Sequence, residues 1–167
     1  MQIDFKIDSR VIRGWVEKTD RLATSFDQIV TRQLAEETVE MIREGFEKEK
    51  DPYGKPWAPI RLRDGRILQD SGGLKASWFV KSLGKGTFTV ASAKAYAKFH
   101  QEGTGIYGVS GQRIRPKKAR ALAFGGRAFA SVAGTPKRKM VPDQSLPTGW
   151  GRRYRAVAND VFTELMR

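Results

Sequence analysis

A single histidine and no cysteine occur among the 167 residues, so side chains that could run a reaction are scarce. His100-Gln101-Glu102 has the letters that open the zinc-deaminase signature, but that site needs two further ligands, usually cysteines. A serine triad would also have to pass through His100, and no G-x-S-x-G elbow supplies its nucleophile. Gly103-Thr-Gly105-Ile-Tyr-Gly108 spells the dinucleotide fingerprint G-x-G-x-x-G. A helical segment precedes it, however, Arg115-Pro116 follows soon after, and no acid appears before Asp143, where the fingerprint needs a strand, a helix and an acid about 20 residues on. These letters are read as a flexible hinge after a helix, and His100 as a packed or capping residue. Most carboxylates fall on a helix face that should be solvated, so paired acid–base catalysis is not expected either. The expectation is a protein that is not an enzyme and carries no cofactor and no metal.

Charge is more informative. Residues 1–70 hold 13 Lys+Arg against 14 Asp+Glu, while residues 71–167 hold 18 against 4, so the net charge of +13 belongs wholly to the second part. The densest basic set is Arg113, Arg115, Lys117, Lys118, Arg120, Arg127, Lys137, Arg138 and Lys139, in a stretch from Gly103 to Pro142 without one acid. Such a field draws DNA, RNA or an acidic protein face, and charge alone does not choose among them. Ile114, Ala119, Ala121, Leu122 and Phe124 interleave with the cations, so one face could pack while the other presents them. Upstream, Pro52, Gly54, Pro56 and Pro59 force a turned loop around Tyr53 and Trp57. That loop is either a local core plug or a contact between subunits.

The elements that would position these residues follow from periodicity. Ile3, Phe5 and Ile7 alternate as in a half-buried strand. Ser9 can cap a helical stretch with Val11, Ile12, Trp15 and Val16, and a break near Ala23 is left open. From Phe26 the stripe Ile29, Val30, Leu34, Met41, Ile42 and Phe46 marks a long helix, with Glu36, Glu37, Glu40 and Glu44 turned outward and Asp51-Pro52 as its stop. Gln69 to Ser77 suits a short helix. Trp78 to Leu83 and Thr87 to Ser92 read as a hairpin around Gly84-Lys85-Gly86, and Ala93 to Glu102 as another short helix with Tyr96 and Phe99 facing inward. A strand pair is expected at Arg113 to Phe124, a mobile arm at Gly125 to Lys139, and a closing helix at Arg152 to Met166. Altogether this is one α+β domain over 1–167, a long helix packed on an antiparallel sheet, with a basic extension at about 104–149 and a C-terminal helix. No apolar run reaches the roughly 20 residues of a membrane span, and the N-terminus lacks a signal-peptide layout, so synthesis in the cytoplasm without export is expected.

Three segments, DPYGKPWAP, ILQDSGGLKAS and AYAKFHQEGTG, occur in an order that resembles the phage virion morphogenesis family, which includes tail completion proteins of Mu-like contractile phages. The likeness rests on Asp51, Gly54, Trp57, Leu68, Asp70, Gly72, Leu74, Ser77, Tyr96, Ala97, His100, Gln101 and Gly103. IRPKKARALAF at Ile114 to Phe124 is similar to a strand pair of phage tail and neck components. MVPDQSLP at Met140 to Pro147 sits where the family tends to place a Pro-bounded motif, with Asp143 and Gln144 in place of the usual basic and aromatic residues. The resemblance implies a structural virion protein that completes the tail or neck, with copies closing into a ring, six expected, at the head–tail junction. Its implied partners are further copies of itself, connector, tail terminator or tail tube proteins, and the DNA in the channel. Tyr53, Trp57, Asp70, Leu74 and His100 are then expected at subunit or partner interfaces, with the basic set facing acidic proteins or DNA. A free nucleic-acid-binding protein using residues 113–139 is the alternative.

Overall fold

The computed structural model describes residues 9–60, 64–124 and 126–167. The strand expected at Met1 to Ile7 lies outside these residues. The first element, α1 (Ser9–Lys48), is one continuous helix of 40 residues. It has no break near Ala23, because neither Gly nor Pro interrupts the ladder between Val16 and Arg43. Its two parts live in different surroundings. Residues 16–25 are all exposed, whereas Thr31, Ala35, Thr38, Val39, Met41, Ile42 and Phe46 are buried at helical spacing. The helix ends at Glu49, whose φ of 52° turns the chain so that Lys50 N–H donates to Gly45 O at 3.1 Å.

Two partners cover the buried stripe. One is the antiparallel hairpin β1 (Trp78–Gly84) and β2 (Thr87–Ser92), with Trp78 opposite Ser92 and an irregularity between Val80 and Ser82. The other is α4 (Thr148–Leu165), which starts four residues before the expected Arg152, directly after Pro147. Starting there places Trp150 in the core, while Val161 is buried farther along the helix. Tyr154 and Thr38 share a hydrogen bond of 2.6 Å across the α1–α4 seam. Glu37 and Glu44, expected to face water, instead turn to α4 and both accept from Arg153, Glu44 at 2.5 Å. The architecture is α+β, as the sequence predicts.

Two short helices, α2 (Gly73–Ala76) and α3 (Ala97–Glu102), close the remaining side. Tyr96 and Phe99 were expected inward but are 42% and 49% exposed. So short a helix has one inward stripe, and Ala97 and Gln101, four residues apart, occupy it.

The basic extension folds differently from its expected pattern. Its strands are β3 (Leu122–Phe124) and β4 (Arg127–Phe129), antiparallel with Leu122 opposite Phe129, and a bridge at Ile114 and Val132 pins the base. The expected pair at Arg113 to Phe124 is thus one limb of a longer ribbon, because Pro116 and the crowded cations beyond it cannot ladder with one another. The second limb coincides with the arm, Gly125 to Lys139, for which the sequence predicts mobility. That arm is tied down: Thr104 N–H donates to Thr135 O at 2.9 Å and Ile106 N–H to Ala133 O at 2.8 Å. The presumed hinge is therefore a packed junction. Gly105 and Gly134 have φ of 64° and 100°, and a Cβ on either would overlap the backbone of the other strip.

Candidate functional site

Asp70, Leu74, His100 and Arg138, far apart in sequence, line one cleft of about 330 Å³ together with Ile60 and Tyr96. Asp70 is exposed at its rim, Leu74 is buried in its floor, and His100 is half-buried between them. Nδ1 of His100 is buried without a hydrogen-bond partner among the described residues, and the Tyr96 ring meets the imidazole edge-on at 6.1 Å. Burial, and secondarily the Arg138 charge, push the His100 pKa below its ordinary value, so the ring is neutral at neutral pH. Among the described residues, no group of three His, Cys, Asp or Glu could hold a metal.

Three expected contact residues are used up inside the chain. Trp57 is 6% exposed, stands edge-on to Phe46 at 5.3 Å, and donates from Nε1 to Lys139 O at 2.9 Å. Leu74 belongs to the same core. Arg138, expected to face DNA or an acidic partner, is 8% exposed; its guanidinium donates to Ala58 O at 2.9 Å and Pro59 O at 3.2 Å. Carbonyl oxygens at the end of the aromatic loop thus hold a cation that looked solvated. Lys139 is likewise engaged, pairing with Asp143 at 2.8 Å. That hydrogen bond raises the Lys139 pKa and lowers that of Asp143.

The motif segments converge on the strip Arg138 to Val141. Gln101 accepts from Met140 N–H at 2.8 Å and Val141 N–H at 3.2 Å, and its amide donates back to Val141 O at 2.8 Å. One side chain thereby plays the part of a neighbouring strand. Tyr53, 40% exposed, accepts at its hydroxyl from Asp143 N–H and Gln144 N–H, both at 3.3 Å, and clasps the Pro-bounded motif to the aromatic loop. Sequence reasoning assigned no role to Gln101 or Arg153, since their partners lie about 40 and over 100 positions away and no local spacing announces them.

Outside this framework stands the basic rim. Arg115, Lys117, Lys118, Arg120 and Arg127 are exposed on the ribbon, and Lys137 is exposed near its root. Arg113 is held by Ser131, donating to its Oγ at 2.9 Å. The ion pairs of the described residues draw their cations from elsewhere, including Arg43, Lys48, Lys75, Lys139 and Arg153, and none reaches the rim from Arg115 to Arg127.

Comparison with known proteins bears on how these surfaces are read. The curated proteins and the solved structures compared returned no match. A family model does match, over residues 7–145, a span that takes in α1, the aromatic loop, the cleft, the hairpin, the basic ribbon and most of the Pro-bounded motif. With the segments that carry the likeness meeting on one strip of the fold, the chain belongs to the phage virion morphogenesis family.

Proposed function

We propose that this chain is a tail-completion or neck component whose copies close into a ring, with six expected, at the head–tail junction. It catalyses no reaction, and connector, tail terminator or tail tube proteins are its neighbours. The observation that carries this reading is the family match across residues 7–145, which makes the chain a phage virion morphogenesis protein. The surface adds support. Leu22, Ile29, Leu83 and Phe162 are large, apolar and exposed, although Leu83 lies beside residues 24–32 of α1 and Phe162 touches Phe26. Apolar groups gathered around one section of a helix are covered more often in an assembly than in a free subunit. Imaging of particles carrying a tagged copy of this chain would test the proposal. Several copies related by rotation at the head–tail junction are expected; a single copy there, or density only elsewhere in the particle, would overturn it.

A further inference from the structure

We infer that the basic ribbon is a duplex DNA contact that reads the phosphate backbone without regard to sequence. Its five exposed cations, Arg115, Lys117, Lys118, Arg120 and Arg127, have no ion-pair partner among the described residues. Three kinds of polyanion could neutralise them. A second copy is a poor candidate, since five of the carboxylates along and just beyond the second half of α1, Glu37, Glu40, Glu44, Glu47 and Glu49, are already engaged by cations of the same chain, and Glu36 alone on that half of the helix is exposed outside these pairs. An acidic protein is also a poor fit. Protein interfaces are built around a desolvated apolar centre and are depleted in lysine there, and the stretch with four of the five cations, Arg113 to Arg120, offers only Ile114 as a large apolar side chain, Leu122, Phe124 and Phe129 lying beyond it in the strand pair.

Phosphates need neither a centre nor acids nearby; they need clustered cations kept apart from carboxylates, which is what an acid-free stretch from Gly103 to Pro142 supplies. The duplex is favoured over single strands because Arg113 to Ala123, which holds four of the five cations, contains no aromatic residue on which bases could stack; the ribbon's two phenylalanines, Phe124 and Phe129, lie beyond it on β3 and β4, and Phe129 is partly buried. The base of the ribbon is rigid. The Ile114–Val132 bridge and the hydrogen bonds of residues 104–106 with 133–135 fix it to the body, so the cations are presented from a framework ordered before any partner arrives. Binding by the free subunit is independent of the ring; only its placement along a central channel rests on the proposed function.

The test is fluorescence anisotropy of the full chain with a labelled 30-base-pair duplex of arbitrary sequence, between 50 and 200 mM salt. Five phosphate contacts give a slope of log affinity against log salt of about −4.5, a loss of roughly 500-fold across that range. Lys117→Gln with Lys118→Gln is expected to make the slope shallower by about 1.8. A control, Lys81→Gln with Lys85→Gln, removes the same charge from the β1–β2 hairpin and should leave the slope unchanged. Both variants change exposed residues, and equal melting temperatures would show that both are folded. Equal weakening by both variants would mean diffuse attraction and overturn the assignment, as would absence of binding at 50 mM salt. Displacement of the duplex by a poly-glutamate peptide of equal charge as readily as by unlabelled duplex would assign the ribbon to an acidic protein instead.

Discussion

Trp57 ties three parts of the chain together through one ring: it caps Phe46 of α1, closes the aromatic loop, and holds the Lys139 carbonyl. Trp57→Ala is expected to lower stability by about 3–5 kcal/mol, read from denaturant titration. Trp57→Phe should cost less, losing mainly the hydrogen bond; a wild-type midpoint for the Ala variant would show that the loop is no plug. His100 gives a pH dependence whose sign is fixed. Its folded pKa lies below the ordinary 6.5, so under that pH the unfolded chain binds more protons than the folded one. Stability should therefore fall as pH drops below about 6.5, and His100→Phe should flatten that part of the melting-temperature profile. At this scale the sequence was only partly legible. Trp57 was recognisable as a plug or a contact, because prolines on both sides constrain it. Arg138 was not, since a cation within a run of cations looks solvated until the Ala58 and Pro59 carbonyls are seen around it.

Among the elements, the buried stripe of α1 and the hairpin were readable, because periodicity reports a face directly. The extension was not, because its order comes from contacts about 30 residues apart, such as Thr104 with Thr135. Its two glycine positions give the sharpest check. Gly134→Ala forces a side chain into the left-handed region and against Thr104, and is expected to destabilise by at least about 1–3 kcal/mol. Amide exchange should divide the extension in two, with slow exchange at Thr104, Ile106, Val132 and Arg138 and fast exchange across Lys117 to Ala119. Fast exchange at all of these would mean that the ribbon has no fixed base. At the α1–α4 seam, Arg153→Met removes hydrogen bonds to two carboxylates and should cost about 1–2 kcal/mol, lowering the unfolding midpoint.

For the molecule as a whole, charge and fold are arranged separately: a near-neutral first half builds the spine and the strongly basic second half carries the ribbon. That division was visible in composition, whereas the packing of the two halves on each other through Trp57 and Arg138 was not. The exposed section of α1 has a mechanical consequence. From Ser9 to Thr31 the helix runs about 33 Å at 1.5 Å per residue, with residues 16–25 exposed and Phe26 meeting Phe162 of α4. It is a lever. A tilt of about 10° at its root would sweep the tip through roughly 6 Å, so a small repacking against α4 becomes a displacement that a neighbour in the proposed ring would register. Spin labels at Thr19 and Lys85 would measure it: a broad distance distribution in the free subunit should narrow in assembled particles, and identical distributions in both would show that the lever stays fixed throughout assembly.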